Sequence, residues 1–252
     1  MTTQAITATF IDRLREAVRS RDVETITEKI KRELEEFIPA EGLVLPERFR
    51  QPRPDCYARR LLHHDEELDF TAVVMTWGPG QRTPLHDHAG IWCVEGVVEG
   101  EMEVYRYELL EEQADGLFRF ALRDEAQARA GSAGALIPPF EHHVLANPRN
   151  DRVSLTLHVY GGEMDHCSIF EPAGDNLYRK QLKTLSYYSE WACPASCPGA
   201  SARRPKSWSA TTIPTMPGRR RSGPPRASSR PRTCSSCAIT ETSPRSIRAT
   251  ST

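Results

Sequence analysis

No stretch of this 252-residue chain approaches the ~20 consecutive apolar residues that a membrane-spanning helix needs, so no membrane association is expected. A secretory leader is also unexpected, because Asp12, Arg13 and Arg15 interrupt the N-terminus before any apolar run develops. The seven cysteines are an odd number and form no disulfide framework, which points to a reducing, cytoplasmic setting. Net charge is nearly absent, at −1, but the balance hides an asymmetry. Residues 192–252 carry ten Arg and one Lys against a single acid, Glu241, whereas residues 1–191 carry 22 basic and 33 acidic side chains. One or two domains with a sizeable core are expected at this length.

Three regions differ in texture. Residues 1–45 read as N-terminal helices packed on the next region of the chain. Phe10, Ile11, Leu14 and Val18 recur at helical spacing, and after a break near Ser20-Arg21-Asp22 the pattern resumes with Val23, Ile26, Ile30, Leu34 and Phe37. Asp22 or Ser20 caps the second helix, and Pro39 and Gly42 end it. Residues 46–190 change to a period of two from about residue 68. Strands are predicted over 69–77, 91–98, 101–109, 117–122 and 152–160, an all-antiparallel barrel or sandwich pattern. In the last of these, Val153, Leu155, Leu157 and Val159 share an apolar face, while Ser154, Thr156, His158 and Tyr160 share a polar one.

Residues 191–252 are different material, with nine of the nineteen prolines, twelve serines and ten arginines, a composition that predicts disorder. It is also what a GC-rich coding sequence yields when read out of frame, so a different native continuation after about residue 190 is expected. The intact mass of the native protein tests this, and a match to the written tail would refute it. Cys193-x3-Cys197 and Cys234-x2-Cys237 lack a surrounding core and read as chance spacing rather than a zinc site. The arginines would attract nucleic acid only non-specifically, and no nucleic-acid partner is expected.

The chemistry concentrates in two blocks. His86 and His88, two apart on an extended segment, project from one face, and a third histidine from a distant strand can complete a metal's coordination face. Gly80, His86, His88 and Gly100 fit the spacing of the cupin signature, with Cys93 at the position where cupins usually carry an acidic ligand. Glu95, two residues on, is not expected to substitute without a change of register. The second block fits through Pro138, His143 and Asn147, although Phe140 takes the place of a usual glycine, and His142 should point to the opposite face. His63, His64 and His166 read as surface residues.

Beyond these motifs, the chain resembles the cysteine dioxygenases of the thiol-dioxygenase branch of cupins. Tyr57-Ala58-Arg59, Trp77 to Gly80, His86-Asp-His-Ala-Gly-Ile-Trp-Cys93, His143 to Asn147, Thr156-Leu-His-Val-Tyr160 and Asp165-His-Cys167 carry the resemblance, over roughly residues 20–190. It implies a mainly β fold, a cupin (double-stranded β-helix, jelly-roll) barrel with N-terminal α-helices. It further implies Fe(II) held by His86, His88 and His143 and oxidation of a small thiol to a sulfinate with O2. Arg59 would bind the substrate carboxylate, with Tyr57 beside it. Tyr160 would be the active-site tyrosine, and Thr156 and His158 would complete a relay in which Thr replaces the usual Ser. Cys93 stands where animal members form a thioether with that tyrosine; a Cys93–Tyr160 link and a plain buried thiol both remain open.

Arg59 favours L-cysteine over 3-mercaptopropionate, since relatives preferring the latter carry Gln there. Another small-thiol dioxygenase is the runner-up, and a metal- or ligand-sensing cupin is the non-enzymatic alternative. A monomer is compatible with everything read so far.

Overall fold

The computed structural model describes residues 3–41, 43 and 45–188; the basic tail lies outside the described residues, as do the expectations for it. Two helices come first, α1 (Thr3–Val18) and α2 (Val23–Glu41). Asp22 caps α2, its carboxylate accepting the Thr25 backbone N–H at 2.8 Å and the Thr25 hydroxyl at 2.9 Å. α2 runs two residues past Pro39 and ends at Glu41, the position before Gly42. In a final turn the proline removes only one donor, and its ring packs close to Gly131, so the disruption stays at the helix end.

Eleven strands follow among the described residues: β1 (Ala58–Asp65), β2 (Phe70–Trp77), β3 (Leu85–His86), β4 (Cys93–Glu99), β5 (Glu101–Glu112), β6 (Leu117–Arg129), β7 (Ala133–Leu136), β8 (His143–Ala146), β9 (Ser154–Tyr160), β10 (His166–Gly174) and β11 (Leu177–Thr184). A five-stranded sheet runs β1-β2-β9-β4-β7, and six strands, β10-β11-β6-β5-β8-β3, close on themselves. Every pairing among these strands is antiparallel. This is the cupin architecture, with both sheets facing a shared interior.

One face of the five-stranded sheet is covered by the helices. Phe10 and Leu14 of α1 and Ile30, Leu34 and Phe37 of α2 pack against Ala72, Val74, Val94, Leu155, Leu157 and Val159. Each fully buried aliphatic side chain there contributes roughly 1.5–3 kcal/mol. Strand alternation then turns Thr156, His158 and Tyr160 of β9 into the barrel, as the period-two pattern implied. Gly100 sits at the β4–β5 turn with φ +81°, and a Cβ there would stand 2.5 Å from the Ser154 hydroxyl oxygen, so only glycine fits.

The strands that sequence patterning missed have weak alternation. β6 extends to Arg129 through a polar stretch because it pairs along nearly the whole of β5. β10 and β11 form a largely exposed hairpin whose turn places Asp175 and Asn176 at φ 51° and 60°. That turn chemistry is the signal that could have found it. β1, β3, β7 and β8 are short or flanked by irregular chain.

Candidate active site

The three expected histidines converge. His86 ends β3 directly opposite His143 at the start of β8, and His88 follows on the loop that leaves β3. That loop is fixed by Asp87, whose carboxylate accepts the backbone N–H groups of Ala89 (3.1 Å) and Ser168 (2.7 Å). Ring centroids lie 5.4, 4.5 and 5.0 Å apart for the pairs 86–88, 86–143 and 88–143. One nitrogen from each ring falls within 4.8 Å of the other two.

Backbone carbonyls set the tautomers of two rings. His86 Nδ1 meets the Pro84 carbonyl at 3.1 Å and His143 Nδ1 meets the Glu141 carbonyl at 3.0 Å, so each Nδ1–H donates and Nε2 carries the free lone pair. His88 Nδ1 faces the Glu141 carboxylate at 3.8 Å, and the same carboxylate oxygen accepts the His88 backbone N–H at 2.9 Å. Burial, reinforced by the neighbouring imidazoles, holds His88 and His143 well below the usual histidine range, and burial lowers His86 to about 4. All three rings are therefore neutral near pH 7 and available as ligands. His143 Nε2 and His88 Nδ1 are buried without a hydrogen-bond partner, the condition a bound cation or its supporting shell would relieve. His142 turns the other way, as expected, and packs on Phe120 and Phe170.

The opposite wall carries the remaining predicted residues. Arg59 on β1 is 6% exposed. Its Nη2 donates to the Met164 carbonyl at 2.9 Å, while Nε and Nη1 are buried with no partner. Tyr57 stacks on Trp77 with centroids 4.6 Å apart. Arg59, Tyr57, His86, His88, His158 and Tyr160 all line one cavity of about 450 Å3, its open mouth included. Sequence reasoning missed Tyr187, whose ring lies 5.4 Å from the Arg59 guanidinium carbon after the chain returns to β1 through a Tyr188 N–H to Arg59 carbonyl bond of 2.6 Å.

Two expectations change on this wall. The relay does not run from Thr156 through His158 to Tyr160. His158 Nε2 meets the Thr156 hydroxyl at 2.7 Å, and that hydroxyl also accepts the Trp77 indole N–H at 2.9 Å. The hydroxyl therefore donates to His158, leaving a proton on Nδ1. His158 and Tyr160 share a strand face two residues apart, which stacks their rings nearly parallel, 6.0 Å and 15° apart, rather than pointing one at the other's polar atom. Tyr160 instead lies directly opposite Cys93 in the β4–β9 register. Burial pushes both the thiol and the phenol well up, so each stays protonated. Cys93 carries a free thiol.

Glu95 is the second change. Residues i and i+2 share a strand face, so Glu95 enters the barrel beside Cys93 with no change of register. Its Oε2 lies 3.5 Å from His158 Nδ1 and 3.7 Å from His143 Nε2. Burial pushes its carboxyl up to about 8, partly offset by Arg106. Glu141 behind His88 was also missed; only its place two residues before His143 could have suggested it.

A profile of the family described as cysteine dioxygenase type I matches residues 46–173, half of the chain, and the protein belongs to that family. Rat and mouse proteins named cysteine dioxygenase type 1 are each 22% identical to it over 122 residues, 48% of this chain and 58% of theirs. The chain thus spans somewhat over half the length of the curated relatives it matches. Among solved structures, an uncharacterized conserved protein with a double-stranded β-helix domain from Klebsiella pneumoniae is 17% identical, with a TM-score of 0.37 over 51% of this chain and 97% of that one.

Proposed function

We propose that the protein is an iron(II)-dependent dioxygenase that oxidises the thiol of L-cysteine to cysteine sulfinate, adding both atoms of O2. The observation that carries this reading is Arg59: a buried guanidinium with two unpartnered nitrogens, lining the same cavity as His86 and His88. A buried cation left partly unsatisfied is costly unless an anion completes it, and a carboxylate does so through a bidentate fork. All three neutral imidazoles fit iron(II), and the buried, unpartnered His143 Nε2 fits a cation held among them. Bound iron would supply the redox activation of dioxygen and a seat for the substrate thiolate.

The chain's own residues do the rest. Arg59 takes the substrate carboxylate and thereby fixes which end of a small molecule faces the histidines. The overlying Tyr187 covers the guanidinium on one side, and Tyr57 lines the same cavity. Tyr160, protonated, offers a hydrogen-bond donor at the cavity wall, with Cys93 directly across the strand pair from it. Trp77 and Thr156 lock the orientation of His158, so that its Nδ1–H has a fixed aim.

Oxygen consumption by iron(II)-loaded protein, with L-cysteine and 3-mercaptopropionate compared and the sulfinate identified, tests the proposal. A kcat/KM for cysteine at least tenfold higher is expected. Preference for 3-mercaptopropionate would overturn the substrate and keep the chemistry. No turnover of either by iron-loaded protein would overturn the enzyme in favour of a ligand-sensing cupin.

A further inference from the structure

The cavity of about 450 Å3, open mouth included, that holds Arg59 is lined by a second cation, Lys183 of β11. Its inward aim follows from register. Lys183 lies directly opposite Cys167 of β10, residues so paired share a sheet face, and Cys167 lines the same cavity. The Cys167 thiol is within electrostatic reach of both Lys183 and Arg59. Leu182, one residue earlier, takes the other face and is 75% exposed. The ordinary pattern is thus inverted, with an ammonium turned in and a leucine turned out. Lys183 makes no ion pair or side-chain hydrogen bond among the described residues. The acids on neighbouring loops are engaged elsewhere, Asp87 with the backbone N–H groups of Ala89 and Ser168, and Asp165 with His166. No carboxylate is among the described residues that line the cavity.

Two permanent cations in one small cavity repel each other, and a partly buried charge without a counter-charge is costly. The neutral histidines offset neither, and a bound divalent metal adds charge of the same sign. A ligand with a single carboxylate satisfies Arg59 or Lys183 but not both. Resting on the thiol-dioxygenase reading above, we propose that Lys183 is a second anion-binding residue of this cavity. The substrates then extend to small thiols bearing two carboxylates, one taken by Arg59 and the other by Lys183. L-Cysteine brings an ammonium in place of the second carboxylate and leaves Lys183 unmatched. The volume restricts such a substrate to a few carbon atoms. The redox step is the same for either thiol: RSH + O2 gives RSO2− + H+. Sulfur gives up four electrons, O2 accepts four and places both atoms on sulfur, and the thiol proton passes to solvent.

Mercaptosuccinate is the probe, with L-cysteine beside it, in oxygen uptake by iron(II)-loaded protein and mass identification of the sulfinates. Wild type is expected to oxidise both. In Lys183→Gln the preference for mercaptosuccinate over cysteine, as a ratio of kcat/KM values, should fall at least about tenfold, the worth of one charge-assisted contact. Lys183→Arg should keep most of that preference. A second readout avoids turnover altogether. In calorimetry on metal-free protein, succinate should bind more tightly than propionate, and Lys183→Gln should erase the difference. Equal binding of the two acids by wild type would overturn the second anion contact. So would an unchanged preference ratio in Lys183→Gln. Turnover of cysteine but not of mercaptosuccinate by wild type would overturn the wider substrate range and leave the function proposed above standing. Turnover of neither thiol would remove the dioxygenase reading itself, and the substrate range with it.

Discussion

The two sheets that face each other across the barrel bring opposite chemistry to the cavity between them. The six-stranded sheet supplies the three imidazoles from its shortest pieces, the two residues of β3, the loop after it and the first residue of β8. The rings of His86 and His143 are aimed by bonds to backbone carbonyls, and the chain at His88 is held by its backbone N–H on Glu141. The five-stranded sheet supplies Arg59, Cys93, Glu95, Thr156, His158 and Tyr160 from long regular strands whose other face is packed on two helices. Histidines can sit on irregular chain here because each ring, or the backbone that carries it, is held by local hydrogen bonds. The guanidinium has one such bond, to the Met164 carbonyl, and the placement of the phenol and the thiol depends on the packing behind the strand. The two walls should therefore fail in different ways.

His88→Ala should break the first wall with the largest effect. With one of three imidazoles gone, iron retention after gel filtration is expected to fall to background while the melting temperature changes little. Full iron content in that variant would mean that the metal sits elsewhere. Leu157→Ala should break the second wall by the other route. Leu157 is 0% exposed between β9 and the helices, and its truncation is expected to cost about 2–5 kcal/mol in chemical denaturation. A loss below about 1 kcal/mol would mean that the helices do not brace the sheet.

The same contrast decides what could be read beforehand. The convergence of His86 and His88 with His143 was legible because the expected metal face asks for a particular spacing along the chain, and the three rings do meet. The interior face of β9 was legible because its partner face is uniformly apolar, which fixes the phase of alternation. Glu95 was not, although it obeys the same alternation, since a motif had already assigned the acid to position 93. The aim of His158 was not legible either. Whether a ring turns toward Thr156 or Tyr160 depends on the indole of Trp77, whose N–H reaches Thr156 from another strand. The β10–β11 hairpin escaped because β11 is mostly polar and exposed and the buried residues of β10 are confined to its first half.

Arg59→Gln sharpens the comparison further. Losing a charge-assisted fork to the substrate should cost about 1.5–3 kcal/mol, roughly ten- to a hundredfold in the KM for cysteine, with kcat less affected. The folded protein should not suffer, because two of the nitrogens removed have no partner in it. A melting temperature at or above wild type is the accompanying expectation. An unchanged KM, or a large loss of stability, would make Arg59 a structural residue.

Glu141→Gln probes how the first wall is aimed, and its expected effect is the smallest. Glutamine keeps an oxygen that can accept the His88 backbone N–H, the 2.9 Å bond that holds the loop. It removes the negative charge 3.8 Å from His88 Nδ1, which raises the basicity of the ring nitrogen that meets the metal. Supporting carboxylates of this kind typically govern about 10- to 100-fold in metal affinity, and a loss near the lower end is expected because the pair is longer than a hydrogen bond. Co2+ titration reads it directly. Unchanged affinity would show that Glu141 only anchors the loop, and that carbonyl contacts at His86 and His143 suffice to orient the metal wall.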